Sequence, residues 1–206
     1  MTPHVALLKR LAGALLVLIG LVPLAFGTYA AARLGTSGSA TFVVKGVGTS
    51  PVLLTPDVLN RTDLPVEIAL TPRSGASALV VIGTPSDTQA ALGTAGHTRV
   101  TGVDVRAGQA TTADTAGRTV EPLGELTLWR KTEQVTAPAT VTITQATAPE
   151  SVLIAPAGAG LASMALTWAN PTWFYQALVL AGSGGLLMTV GWLLVRPAPK
   201  AKELAR

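Results

Sequence analysis

The sequence predicts a membrane protein in which two transmembrane helices flank a mainly-β, sandwich-like extracytoplasmic domain with one short helix. Three observations lead to that expectation. Residues 11–32 and 173–195 contain no Asp, Glu, Lys or Arg. As a helix rising 1.5 Å per residue, the second run would reach about 34 Å, more than a hydrocarbon core of about 30 Å. Only 13% of the 206 residues are charged and the mean hydropathy is +0.47, whereas soluble domains carry about 25% charged residues. Between the two runs, segments rich in Val, Ile and Thr alternate with Gly, Pro and Ser, the pattern of short strands and turns.

In chain order, residues 1–10 form an N-terminal segment carrying Lys9 and Arg10. The run 11–32 has two readings. Basic residues, an apolar stretch and Ala30-Ala31-Ala32 fit a cleavable signal peptide. The run exceeds the 7–15 residues of a signal's apolar region, and Gly13, Gly20 and Gly27 recur at steps of seven, a smooth stripe suited to helix packing. The second reading, a retained span, is adopted. Pro23 removes one backbone donor within it.

Residues 33–172 follow as the β-rich domain. Strands are expected at 40–47, 64–70, 78–82, 98–105, 125–130, 139–144, 151–154 and 164–168. A helix is expected at 86–92, after Pro85, with Ser86 or Asp87 capping its amides and Gly93 ending it. A weaker helical signal lies at 56–60. Residues 107–117 show no periodicity and read as an exposed excursion. Eight strands at short intervals suggest an antiparallel sandwich. In the second span, Ala177, Ala181 and Gly185 fall at steps of four, and Gly184 and Gly191 at a step of seven. Tyr29, Trp168, Trp173, Phe174 and Tyr175 are placed at the outer membrane interface and Trp192 near the inner one, as an aromatic belt requires. The tail 196–206 is basic, with four Lys or Arg against one Glu.

Charge placement sets orientation. Lys9, Arg10 and the tail flank the outer ends of the two spans, whereas residues 34–172 hold eight Lys or Arg and ten Asp or Glu. The positive-inside rule puts both termini in the cytoplasm of a plasma-membrane protein and the domain outside. The pI of about 9.9 therefore reports orientation, with no nucleic-acid partner expected. The absence of cysteine excludes disulfides, a thiolate nucleophile and a cysteine-ligated metal.

Few constellations offer chemistry. Ser86, Asp87 and His97 are the grouping closest to a hydrolytic triad, but Asp87 adjoins Ser86 and no Gly-x-Ser-x-Gly elbow is present. The structural reading makes Ser86 and Asp87 helix caps and His97 a strand start. His4 and His97, the only histidines, fall on opposite sides of the membrane, and Asp104 and Asp114 lack calcium-loop spacing. Glu121 and Glu125 flank a turn and read as solvated rather than as paired acid and base. Gly182-Ser183-Gly184-Gly185 lies within a span with no lysine following, so it reads as packing rather than as a phosphate loop. Asn60-Arg61-Thr62 matches a glycosylation sequon, and Pro171 excludes Asn170 from one. No catalytic residue, cofactor or metal is expected, and no ionisable group interrupts either span to suggest an ion pathway.

The segments Val80-Val81-Ile82-Gly83-Thr84-Pro85-Ser86-Asp87, Leu92-Gly93 and His97-Thr98-Arg99-Val100-Thr101-Gly102-Val103 resemble a group of uncharacterised actinobacterial two-pass membrane proteins with an extracytoplasmic β domain. Their Trp-containing strand is similar to Leu126-Thr127-Leu128-Trp129-Arg130 here, although this chain lacks an aromatic in the short helix. The resemblance implies the same topology and brings no activity with it. The expected function is a non-catalytic, membrane-anchored extracytoplasmic domain, a binding or accessory subunit of a cell-envelope complex. Its partners would be the lipid bilayer and a membrane or envelope protein, met through the small-residue helix faces or the β domain. The alternative is an envelope hydrolase using Ser86 and His97.

Overall fold

The uncharged runs fold as two helices, α1 (Pro3–Leu34) and α4 (Pro171–Val195). The structure, a computed structural model, describes residues 3–119, 123–144 and 149–196. Residues 197–206, most of the expected basic tail, lie outside the described set, as does Glu121. Contacts divide the chain into a helical unit, Met1–Gly38 with Asn170–Arg206, and a β unit, Ser39–Ala169.

In the helical unit, α1 outruns the expected span at both ends and takes in Lys9, Arg10 and Arg33. α4 starts at Pro171, two residues early, because Asn170 caps it. The Asn170 Oδ1 accepts from the Thr172 amide at 3.0 Å, and Pro171 occupies the first turn, where no amide donor is needed. The two small-residue faces meet. Gly13 lies against Gly191, Gly20 against Gly184, and Gly27 against Ala177 and Ala181, so the helices run antiparallel. A Cβ on Gly13 would stand 2.5 Å from the Gly191 carbonyl oxygen, and one on Gly20 would stand 2.6 Å from that of Gly184. Such backbone-to-backbone approach is what small residues permit in an apolar environment. Hydroxyls are satisfied within their own helices: Thr28 donates to the Leu24 carbonyl (2.7 Å), Ser183 to Leu180 (2.8 Å) and Thr189 to Gly185 (2.8 Å).

The β unit contains β1 (Ser39–Val44), β2 (Val52–Leu54), α2 (Pro56–Leu59), β3 (Val66–Pro72), β4 (Ser77–Gly83), α3 (Pro85–Leu92), β5 (His97–Asp104), β6 (Gln109–Thr115), a 3-10 turn (Leu123–Glu125), β7 (Lys131–Val135), β8 (Ala139–Ile143), β9 (Ser151–Ala157) and β10 (Leu161–Ala169). The strands form one sheet in the order β7-β4-β9-β2-β5-β6-β1-β10-β3-β8. Its edge strands, β7 and β8, are consecutive in the chain and joined by residues 136–138 alone. The sheet must therefore curl until its edges meet at that link. The result is a near-closed, barrel-like sheet rather than the expected sandwich of two sheets.

Four further expectations are corrected. Pairing is mixed, because β1 lies parallel to β6 and β2 parallel to β5. The stretch 107–117, expected to be an irregular excursion, contains β6, held along β5 from Asp104↔Gln109 to His97↔Thr115. Residues 125–130 are no strand: the chain makes the 3-10 turn, and pairing with β4 begins at Lys131. Among the described residues the β unit has two short helices, not one, the weaker signal at 56–60 being the second.

Burial explains the apolar patterns. β3 alternates, with Val66, Ile68 and Leu70 buried and Glu67 and Ala69 exposed, as half-buried strands do. Met164, Leu166 and Trp168 of β10 join that core, and Phe42 meets Trp168 edge to face at 5.7 Å. β2, β4 and β9 differ because both faces are covered, hence their unbroken apolar runs. The register aligns Leu53, Leu153 and Val81 in one row. Leu92 of α3, Leu123 of the 3-10 turn and the Trp129 ring cover that row.

Candidate functional site: a polar cleft at the start of the β5–β6 hairpin

β5 and β6 form a hairpin whose open end carries a cleft of about 580 Å³. Its shape comes from the backbone. The chain leaving β6 turns back beside the chain entering β5: the Arg118 amide donates to the Thr94 carbonyl at 3.1 Å, and the Gly96 amide to the Arg118 carbonyl at 2.9 Å. Gly117 is required there, because a Cβ would be driven into the Thr94 carbonyl oxygen and would stand 2.5 Å from the Gly96 nitrogen. On the other side, the Thr98 amide donates to the Pro51 carbonyl at 2.8 Å, which lays residues 49–51 along β5.

Thr49, Ser50, His97, Asp114, Arg118 and Pro156 are among the lining residues. Thr98, only 6% exposed, donates its Oγ1 hydrogen to Asp114 Oδ1 at 2.7 Å. That bond orients the carboxylate and leaves its second oxygen without a hydrogen-bond partner among the described residues. His97 Nδ1 lies 3.0 Å from the Ala95 carbonyl. A carbonyl accepts only, so the Nδ1–H donates to it. Neither Asp114 nor Arg118 takes part in an ion pair among the described residues, which pair Arg99 with Asp57, Arg130 with Glu150 and Lys131 with Glu133.

Of the residues singled out in the sequence, His97 and Asp114 border the cleft and the others fall elsewhere. Thr84, rather than Ser86 or Asp87, caps α3, its Oγ1 accepting from the Asp87 amide at 3.1 Å. The same hydroxyl donates to Asp87 Oδ2 at 2.6 Å, and Ser86 Oγ lies 2.8 Å from it. The cap falls two residues before Ser86 because Pro85 has the fixed φ suited to the first turn. No hydrogen bond joins Ser86 or Asp87 to His97 among the described residues. His97 and Asp114 both border the cleft, but their register partners are Thr115 and Thr98, so their side chains leave opposite faces of the hairpin. Asp104 sits at the far end of the hairpin, accepting from the Arg106 and Ala107 amides at 2.9 and 3.0 Å in a turn of its own. Among the described residues no three His, Cys, Asp or Glu side chains gather as a metal site. His4 lies in α1, Glu125 in the 3-10 turn, Asn60 at the end of α2, and the Gly182–Gly185 stretch in α4.

Sequence reasoning missed Thr49, Ser50, Asp114 and Arg118 as neighbours. Their meeting depends on the parallel β2–β5 pair and the β5–β6 register, neither of which has a local signature. Gly96 and Gly117 were the only residues on which the turn-back could have been suspected. No family model matches the chain, and no curated protein or solved structure is significantly similar to it.

Proposed function

We propose that the chain is a two-pass membrane protein whose β domain, on the extracytoplasmic side, acts by binding rather than catalysis, as a binding or accessory subunit of an envelope complex. The helix pair carries this reading. A core helix of a soluble protein is mostly buried, yet only 17% of the most apolar window of each helix is buried. Val22, Val179 and Leu186 stand about as exposed as surface residues, at 70%, 72% and 70%. Hydrocarbon is the environment in which that surface costs nothing. Lys9, Arg10 and Arg196 share one end of the antiparallel pair and Arg33 stands at the other, which supports cytoplasmic termini. Arg196 stacks over Trp192 at 3.6 Å and Arg33 lies 5.9 Å from the centre of the Tyr29 ring, amphipathic pairs suited to headgroup depth.

Binding is favoured over hydrolysis because Thr84 holds Ser86 and Asp87, and the Ala95 carbonyl holds the His97 ring. The small-residue helix faces are spent on each other, so recognition falls to the β domain. The resemblance to two-pass actinobacterial proteins implies the same arrangement. The absence of cysteine makes the test direct. A membrane-impermeant maleimide should label Ser74→Cys in intact cells and reach His4→Cys only after permeabilisation. Labelling of His4→Cys in intact cells would overturn the orientation. Release of the protein into buffer by an alkaline wash would overturn the membrane reading altogether.

A further inference from the structure

We propose that the cleft at the open end of the β5–β6 hairpin binds a small, uncharged, polyhydroxylated ligand, of the size of a mono- or disaccharide. The inference deepens the binding-module reading and rests on it. Its first support is the balance of charge. The cleft offers one carboxylate, Asp114, and one guanidinium, Arg118, so it has no excess charge to favour a phosphate, a nucleotide or an acidic chain.

The second support is the character of the wall. Thr49, Ser50 and Thr119 border the cleft, and their hydroxyls have no hydrogen-bond partner among the described residues. Each hydroxyl both donates and accepts, Asp114 adds an acceptor oxygen beyond the one that Thr98 holds, and Arg118 adds donors. Sugar hydroxyls, which also donate and accept, match such an interleaved set better than a ligand carrying only acceptors. Pro51 and Pro156 supply rigid apolar edges for the C–H faces of a pyranose.

The third support is preorganisation. Buried Thr98 fixes the Asp114 carboxylate, and two backbone hydrogen bonds lace Arg118 to residues 94–96. The Asp114 carboxylate is therefore ordered before binding, while the backbone bonds at Arg118 fix the wall that carries its exposed side chain. A volume of about 580 Å³ suits one or two sugar rings.

The test is isothermal titration calorimetry of the full-length protein in a detergent without a sugar headgroup. Maltose, cellobiose and N,N′-diacetylchitobiose serve as probes, with inorganic phosphate and tri-alanine alongside. The expected result is saturable binding of at least one disaccharide. Affinity should fall about tenfold in Asp114→Asn, which keeps the Thr98 hydrogen bond, and about tenfold in Arg118→Gln, as loss of one charge-assisted hydrogen bond implies. Thermal unfolding of both variants should match that of the parent. No saturable heat with any disaccharide would overturn the proposal. So would tighter binding of phosphate or tri-alanine, or unchanged disaccharide affinity in both variants. The titration is made in detergent, so it reads the cleft whatever the membrane orientation. A reversed labelling pattern with intact saccharide binding would remove only the topology, and correct labelling without binding would remove only this inference.

Discussion

Trp129 shows how much one side chain settles in this fold. Its ring covers the Leu53, Val81 and Leu153 row, and its Nε1 donates to the Leu123 carbonyl at 2.6 Å, so the cover is fastened as well as filled. Gly83 is small because of that ring: a Cβ there would stand 3.0 Å from Trp129 Cε3. Beyond it, Arg130 pairs with Glu150, whose side chain is only 7% exposed. Trp129→Phe should lose the hydrogen bond but keep most of the ring, at a cost of about 1 kcal/mol. Trp129→Ala should cost about 3 kcal/mol by opening the outer cluster. Denaturant unfolding of the purified protein measures both, and equal losses would mean that the ring does not cover the row. The sequence reading places Trp129 in a strand at 125–130. The alternation of Leu126, Leu128 and Arg130 around it suited a strand, whereas the chain spends these residues arching over a neighbouring face.

At the scale of elements, local pattern was a good guide wherever burial was one-sided. β3, β8 and β10 alternate and were expected close to where they lie. β6 was not, because Thr111 to Thr115 are exposed and polar or small, and only the β5 register makes them a strand. β2 is three residues long, too short for any period to show. The helix pair was legible at both levels. The steps of seven in both helices named residues that meet, as did Ala177 and Ala181, whereas Gly185, at the next step of four, has nothing within 4 Å of a Cβ position. Gly20→Leu tests that packing, because its side chain would be driven into the Gly184 carbonyl and the Met188 backbone. The expected outcome is a melting temperature lower by several degrees in detergent, corresponding to about 2 kcal/mol. Gly182→Leu, at a position where a Cβ meets nothing within 4 Å, should leave it unchanged.

For the whole molecule, the number of strands was roughly readable and their arrangement was not. Sheet order depends on pairings between residues far apart, such as Val52 with Thr98 and Val43 with Gln109, which composition does not encode. The cleft shares that opacity, since its walls come from four separate stretches of chain. The two units are each internally connected, so residues 39–169 expressed alone should fold cooperatively in buffer with a β-type circular dichroism spectrum. A non-cooperative melt of that fragment would show that the helices are needed for its folding.

The pairing of Ser39 with Ala169 has a consequence for how such a protein is assembled. The first and last residues of the β unit are cross-strand neighbours, about 5 Å apart. Within the helical unit, the Asn170 amide likewise donates to the Gly38 carbonyl at 3.1 Å. Any module whose own ends are neighbours could take its place in the chain between residues 38 and 170.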